Sequence, residues 1–131
     1  MSKWMPLVWV GLGSGLGGIA RFLLSGWIAE SRGSTFPWGT LVVNVTGSFL
    51  IGLCEALSVP EGRFYLPPTA RQFLMVGVMG GYTTFSSFSL QTLKLAQEGQ
   101  WLAVGGNVLL SVLLCLVGVW LGFLAGNLVT R

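Results

Sequence analysis

Residues 80–88 read Gly-Gly-Tyr-Thr-Thr-Phe-Ser-Ser-Phe, which places two adjacent glycines, the hydroxyls of Thr83, Thr84, Ser86 and Ser87, and two phenylalanines three apart inside an otherwise apolar stretch. Gly80 and Gly81 followed by the β-branched Thr83 and Thr84 are poor helix formers, so the spacing predicts an interruption near the middle of a third span. An interruption frees main-chain carbonyls, and freed carbonyls can coordinate a hard cation. Beyond it, Phe85 and Phe88 share a face of the renewed helix, and their ring edges carry the partial positive charge that a small anion seeks. The alternative for the two rings is plain core packing. Irregular, hydroxyl-rich backbone at membrane depth is tolerated only where protein or a wet pathway surrounds it, and this run predicts an ion pathway.

A second group of polar residues falls on two other spans. Thr40, Asn44 and Ser48 recur every four residues and so lie on one helix face. A carboxamide at the depth of Asn44 is costly unless it is hydrogen-bonded, either as glue between helices or as a donor to a passing ion. Asn107, Ser111 and Cys115 repeat the spacing near the other end of the chain and continue through Gly118, Gly122 and Gly126 as one seam. That seam fits close helix packing and ion hydration equally well. Arg21, about six residues before the expected end of its span, roughly 9 Å at 1.5 Å per residue, can snorkel to the interface and can also make an anion vestibule electropositive.

The elements that carry these residues follow from composition. The 131 residues are 53% hydrophobic and 8% charged, against about 25% charged in soluble domains, which places the chain in the membrane class. Residues 33–54, 72–93 and 99–130 contain no formal charge, and each is near or above the roughly 20 residues that cross a bilayer. The N-terminal stretch from Trp4 to Ala20 superficially fits a secretory signal, but it is glycine-rich, ends in Arg21 without a small-residue cleavage pattern, and reads as a retained first span. The expectation is an all-α membrane protein forming a single domain over residues 1–131, with spans at about 4–27, 38–57, 69–96 and 101–128.

Several function classes drop out. Asp and His are absent, all four acids are glutamates, and Cys54 and Cys115 lie in apolar segments. This leaves almost nothing for acid–base, nucleophilic or zinc chemistry, so no enzyme is expected. The net charge of +3 is scattered and forms no nucleic-acid-binding patch. Gly13, Gly15 and Gly18 match G-x-G-x-x-G, but no strand–helix pattern follows and no acid stands about 20 residues on, so the match is chance on a glycine-rich helix. Gly11 and Gly15, and Gly13 and Gly17, instead form small-xxx-small pairs suited to helix packing.

Four spans put Lys3, Arg63, Arg71 and Arg131 on one side and Arg21, Arg32 and Lys94 on the other. Four cations against three set almost no orientation bias. Both an ordinary single orientation with weak signals and insertion both ways up, giving an antiparallel dimer, are consistent with the count. A lone four-helix bundle has little room for a polar path, and an interface between copies offers it.

The run at residues 80–89, Gly39-Thr-Leu-Val-Val-Asn44 on the second span, and an arginine after the glycine-rich first span together resemble the Fluc fluoride channels, also called the CrcB family, over nearly the whole chain. The resemblance implies a dual-topology homodimer in the inner (plasma) membrane with two antiparallel fluoride pores. It also implies a central structural sodium ion held by the backbone carbonyls of Gly80 and Thr83. Phe85 and Phe88 would line the fluoride path with Asn44 as amide donor. Ser87 stands where a threonine is frequent and keeps the hydroxyl. Ser111 would belong to a polar track on the fourth span with Asn107 at its wider end, while Arg21 would favour anions at a vestibule. Cys115 replaces a hydroxyl residue common in the family, and a thiol is a weak donor. The role of Tyr82 stays open. Fluoride enters acidified cells as the neutral acid and is trapped on ionising, so a passive anion channel suffices to drain it. The competing reading is a small dual-topology multidrug exporter exchanging cations for protons. Such a protein needs a membrane-embedded glutamate, and Glu55, the one candidate, lies near a span end with no second acid beside it.

Overall fold

The computed structural model describes residues 2–131, and among them every regular element is helical. Helix α1 runs Met5–Arg32 and α2 runs Trp38–Ala56. Helix α3 covers residues 68–82: it opens as an α-turn at Pro68–Arg71, widens to π geometry over Gln72–Met79 and closes with Gly80–Tyr82. Helix α4 runs Phe85–Gln97 and α5 runs Trp101–Thr130. Four helical stretches are long and apolar enough to cross a membrane, with α3 and α4 together forming the third. Short connections punctuate them, and Gly33 (φ 82°) and Gly99 (φ 73°) take the left-handed backbone that ends α1 and lies just beyond α4.

Helix α1 continues five residues past the expected span end at Trp27, so Arg21 lies well inside a longer helix than the sequence suggested. The other expected spans agree with the helices to within two residues at each end.

Packing is organised by glycine. Helices α1 and α3 meet where Gly13, Gly17, Gly77 and Gly81 bring backbone onto backbone; a Cβ at Gly81 would stand 2.9 Å from Ser14 Cα and closer still to its carbonyl oxygen. Helices α2 and α5 meet in the same way at Gly52, Gly118, Gly122 and Gly126. Of the two glycine pairs noted on α1, Gly13 and Gly17 make this contact, whereas Gly11 and Gly15 face open space. Close backbone approach supplies the dispersion contact that membrane helices depend on in place of a hydrophobic drive. Gly81→Val is therefore expected to cost several kcal/mol through overpacking. The check is loss of a monodisperse species and a lowered thermal midpoint in detergent.

The expected physical reason for irregularity at residues 80–84 needs correction. Gly80 and Gly81 are helical, and Gly81 is there to let α3 touch α1. The extended residues are Thr83 (φ −81°, ψ 155°) and Thr84 (φ −150°, ψ 112°). β-branched threonines favour these dihedrals, and the side chains described next hold them there.

Candidate functional site

The extended pair Thr83–Thr84 is secured from α2. Asn44 Nδ2 donates to the Thr84 carbonyl at 2.9 Å, and the Thr84 N–H donates to Asn44 Oδ1 at 2.7 Å. One carboxamide thus satisfies both main-chain groups of an extended residue, as a neighbouring β-strand would. Thr84 Oγ1 in turn accepts from the Ser87 N–H at 3.1 Å and caps the start of α4. The Thr83 N–H and hydroxyl both donate to the Met79 carbonyl, at 3.0 and 2.9 Å. In a continuous helix the Thr84 N–H would close on the Gly80 carbonyl; here Asn44 takes it, and the carbonyls of Gly80, Gly81 and Tyr82 at the end of α3, with that of Thr83 just beyond, are left without intrahelical partners. No donor from elsewhere among the described residues reaches the oxygens of Gly80 or Thr83. Such hard, neutral oxygens suit a cation of the alkali type.

Tyr82 is buried, and its hydroxyl lies 2.8 Å from Thr46 Oγ1. Thr46 gives its own proton to the Val42 carbonyl at 2.7 Å, so Tyr82 is the donor and braces the end of α3 against α2. That bond answers the question the sequence left open for Tyr82.

Two cavities flank Thr84. A groove of about 450 Å³ is lined by Asn44, Ser48, Gly80, Thr83, Phe85, Phe88, Ser111 and Cys115. It therefore brings together most of the residues singled out in the sequence. The Phe85 and Phe88 ring centroids are 5.4 Å apart at 50°. Phe88 is buried, but Phe85 is 77% exposed on the single chain. With Asn44 Oδ1 and one Nδ2 hydrogen committed to Thr84, the amide keeps one N–H for any other acceptor.

The second cavity, about 920 Å³, opens on the other side of Thr84 and is lined by Arg21, Ser25, Ser87, Gln91, Lys94 and Glu98 among others. Arg21 and Lys94 make no ion pair there; among the described residues the one salt bridge is Arg71 to Glu55 at 3.0 Å. Gln91 Oε1 is buried without a hydrogen-bond partner. The lining of this cavity thus holds two cations without ion-pair partners, one carboxylate (Glu98) and hydroxyl groups, a net positive balance that gathers anions.

Asn107 lies apart from both cavities. It is 1% exposed, and its Nδ2 donates to Thr92 Oγ1 at 2.9 Å. The sequence pointed to no role for Thr92, and it presented Thr84 only as a β-branched hydroxyl residue that weakens a helix. For Thr84 a signal existed, since a threonine immediately before a renewed helix is a favoured N-cap residue. Thr92 carries no comparable local mark.

A family model described as "CrcB-like protein, Camphor Resistance (CrcB)" matches residues 8–123. The chain belongs to the CrcB family. It is similar to proteins named fluoride-specific ion channel FluC from Opitutus terrae, 58% identical over 118 residues covering 90% of this chain and 89% of the relative, and from Rhodospirillum rubrum, 56% identical over 127 residues covering 97% and 98%. The Methylocella silvestris FluC is 54% identical over 118 residues, covering 90% of each. Membership of the CrcB family makes the chain a multi-pass membrane protein of an ion-channel family and not an enzyme. Glu55, the residue on which the exporter reading depended, is half exposed at the end of α2 and paired with Arg71.

Proposed function

We propose that this CrcB-family chain is a fluoride-selective channel that lets fluoride leave the cytoplasm passively across the inner (plasma) membrane. The observation that carries the reading is the Asn44 carboxamide bound to both main-chain groups of Thr84. That clamp fixes the start of α4, and with it the Phe85–Phe88 ring pair facing Ser111 across the groove. Fluoride, small and strongly hydrated, exchanges water for fixed donors: the remaining Asn44 N–H, ring edges, and the hydroxyls of Ser111 and Ser87. Arg21 and Lys94 concentrate anions in the wider cavity, and Ser87 lies on its wall.

A second copy in the opposite orientation completes the path. The exposure of Phe85 favours this assembly, because a pore-lining ring open to lipid serves no pathway and a partner surface would enclose it. The antiparallel homodimer then carries two pores. Gly80 and Thr83 carbonyls, with the same pair from the second copy, would hold one structural sodium ion. When the ion is bound, these oxygens, which otherwise lack donors, would gain a partner that links the two copies at the Thr83–Thr84 segment.

The test is efflux from liposomes loaded with potassium fluoride or potassium chloride, recorded with ion-selective electrodes after valinomycin is added. Fluoride is expected to leave rapidly while chloride is retained, and Glu55→Gln is expected to conduct like the wild type. Fluoride efflux no faster than from protein-free liposomes would end the channel reading, and loss of transport in Glu55→Gln would point to the exporter instead.

A further inference from the structure

We infer that Thr92 and Asn107 form a positioning relay that sets which way the hydroxyl of Ser111 points, making Ser111 a donor that must be released before it can serve an anion. This rests on the fluoride-channel reading above. The direction of each bond follows from a chain whose far end is fixed. Thr92 Oγ1 donates to the main-chain carbonyl of Phe88 at 2.7 Å, and a carbonyl can only accept. The Thr92 hydroxyl proton is thereby spent, so its oxygen accepts from Asn107 at 2.9 Å, which requires the nitrogen of that amide to face Thr92. Asn107 Oδ1 then faces Ser111, and the single Ser111 proton goes to it at 3.4 Å.

Two consequences follow for the groove. In this arrangement Ser111 shows lone pairs, not a proton, to the space beside Phe85 and Phe88, and lone pairs repel an anion. The bond that holds the proton away is long, 3.4 Å against a usual O–H···O distance of about 2.7–2.8 Å, so swinging the hydroxyl into the groove gives up little. The relay also starts at the backbone of Phe88, one of the two ring residues, and so ties ring position on α4 to donor orientation on α5. Asn107, 1% exposed and outside both cavities, acts from behind the wall. A weakly restrained donor matches what conduction demands, binding firm enough to admit the ion and loose enough to let it go.

Removing the Thr92 acceptor should let the Asn107 amide turn over and present its N–H to Ser111, leaving the Ser111 proton free to face the groove permanently. The experiment measures fluoride efflux against internal fluoride concentration for wild type, Thr92→Val, Thr92→Ser, Ser111→Ala and the Thr92→Val/Ser111→Ala double variant. Thr92→Val is expected to lower the half-saturating fluoride concentration about threefold to tenfold, the scale of one hydrogen bond, and to lower the maximal flux with it. Thr92→Ser keeps the hydroxyl and is expected to match wild type. In the Ser111→Ala background, Thr92→Val is expected to change nothing further, because the group it acts through is gone.

If the effects of Thr92→Val and Ser111→Ala simply add, or if Thr92→Val lowers maximal flux at an unchanged half-saturating concentration, the relay is refuted while the channel reading stands. If the wild type passes no fluoride, the channel reading falls and takes the relay with it. Should Thr92→Val fail to yield dimers, Thr92→Ala removes the same acceptor without adding bulk and is held to the same outcomes.

Discussion

Phe85→Ile is expected to reduce fluoride efflux at least about 100-fold, equivalent to about 2.7 kcal/mol at 1.36 kcal/mol per tenfold, while the protein still purifies as the same oligomer. The two halves of that expectation have separate grounds. The Phe85 ring is 77% exposed on the single chain and makes little intrachain packing beyond Phe88, 5.4 Å away, so losing it costs the protomer fold little. Isoleucine fills similar space but offers no ring edge, and a desolvated fluoride passing it gains nothing in return for the water it has shed. Efflux from liposomes with a fluoride electrode reads the first half, and size exclusion in detergent reads the second. Flux within threefold of wild type would remove Phe85 from the pathway. Loss of the oligomer would show that the ring is interface packing instead.

Much of this arrangement was legible in the sequence because its signals are local. Three charge-free stretches of span length and the apolar run from Trp4 to Ala20 located the four helices long enough to cross a membrane, and the glycine spacing on α5 marked the face that meets α2. Of the Thr40–Asn44–Ser48 register, Asn44 and Ser48 line the groove and Thr40 lines the wider cavity. What was not legible depends on partners distant in sequence. Gly80 and Gly81 look like helix breakers when read alone; only the contact with Ser14, far away on α1, shows that Gly81 serves packing. The extended Thr84 is stabilised by a residue 40 positions earlier, and nothing near it announces that support. The π geometry at Gln72–Met79 has no counterpart in the sequence there, which is apolar after Gln72. The spacing of Asn107 with Ser111 fits close packing and ion hydration equally well, and nothing local marks Thr92, the residue on another helix that its buried amide bonds.

Asn44→Asp should be the most damaging single-atom change, since it acts on the Thr84 clamp and on the ion at once. An aspartate oxygen can still accept from the Thr84 N–H, now at 2.7 Å, but the other oxygen replaces Nδ2, which donates to the Thr84 carbonyl at 2.9 Å. Two acceptors then face each other, leaving the Thr84 carbonyl unpaired at a cost of about 1–3 kcal/mol. The same carboxylate puts a negative charge beside the groove that an anion must cross. At about 4 Å and an effective dielectric of about 20, a unit charge raises the energy of that anion by about 4 kcal/mol, roughly a thousandfold in rate. Fluoride efflux is therefore expected to fall to the protein-free level, with a lower thermal midpoint in detergent. Asn44→Ala separates the two contributions, because it removes the clamp without adding charge and should lose stability while keeping more flux than Asn44→Asp. Equal flux in the two variants would show that the amide matters to conduction only by holding Thr84 in place. Wild-type flux in Asn44→Asp would mean that the ion passes elsewhere and that the groove beside Phe85 and Ser111 is a packing seam.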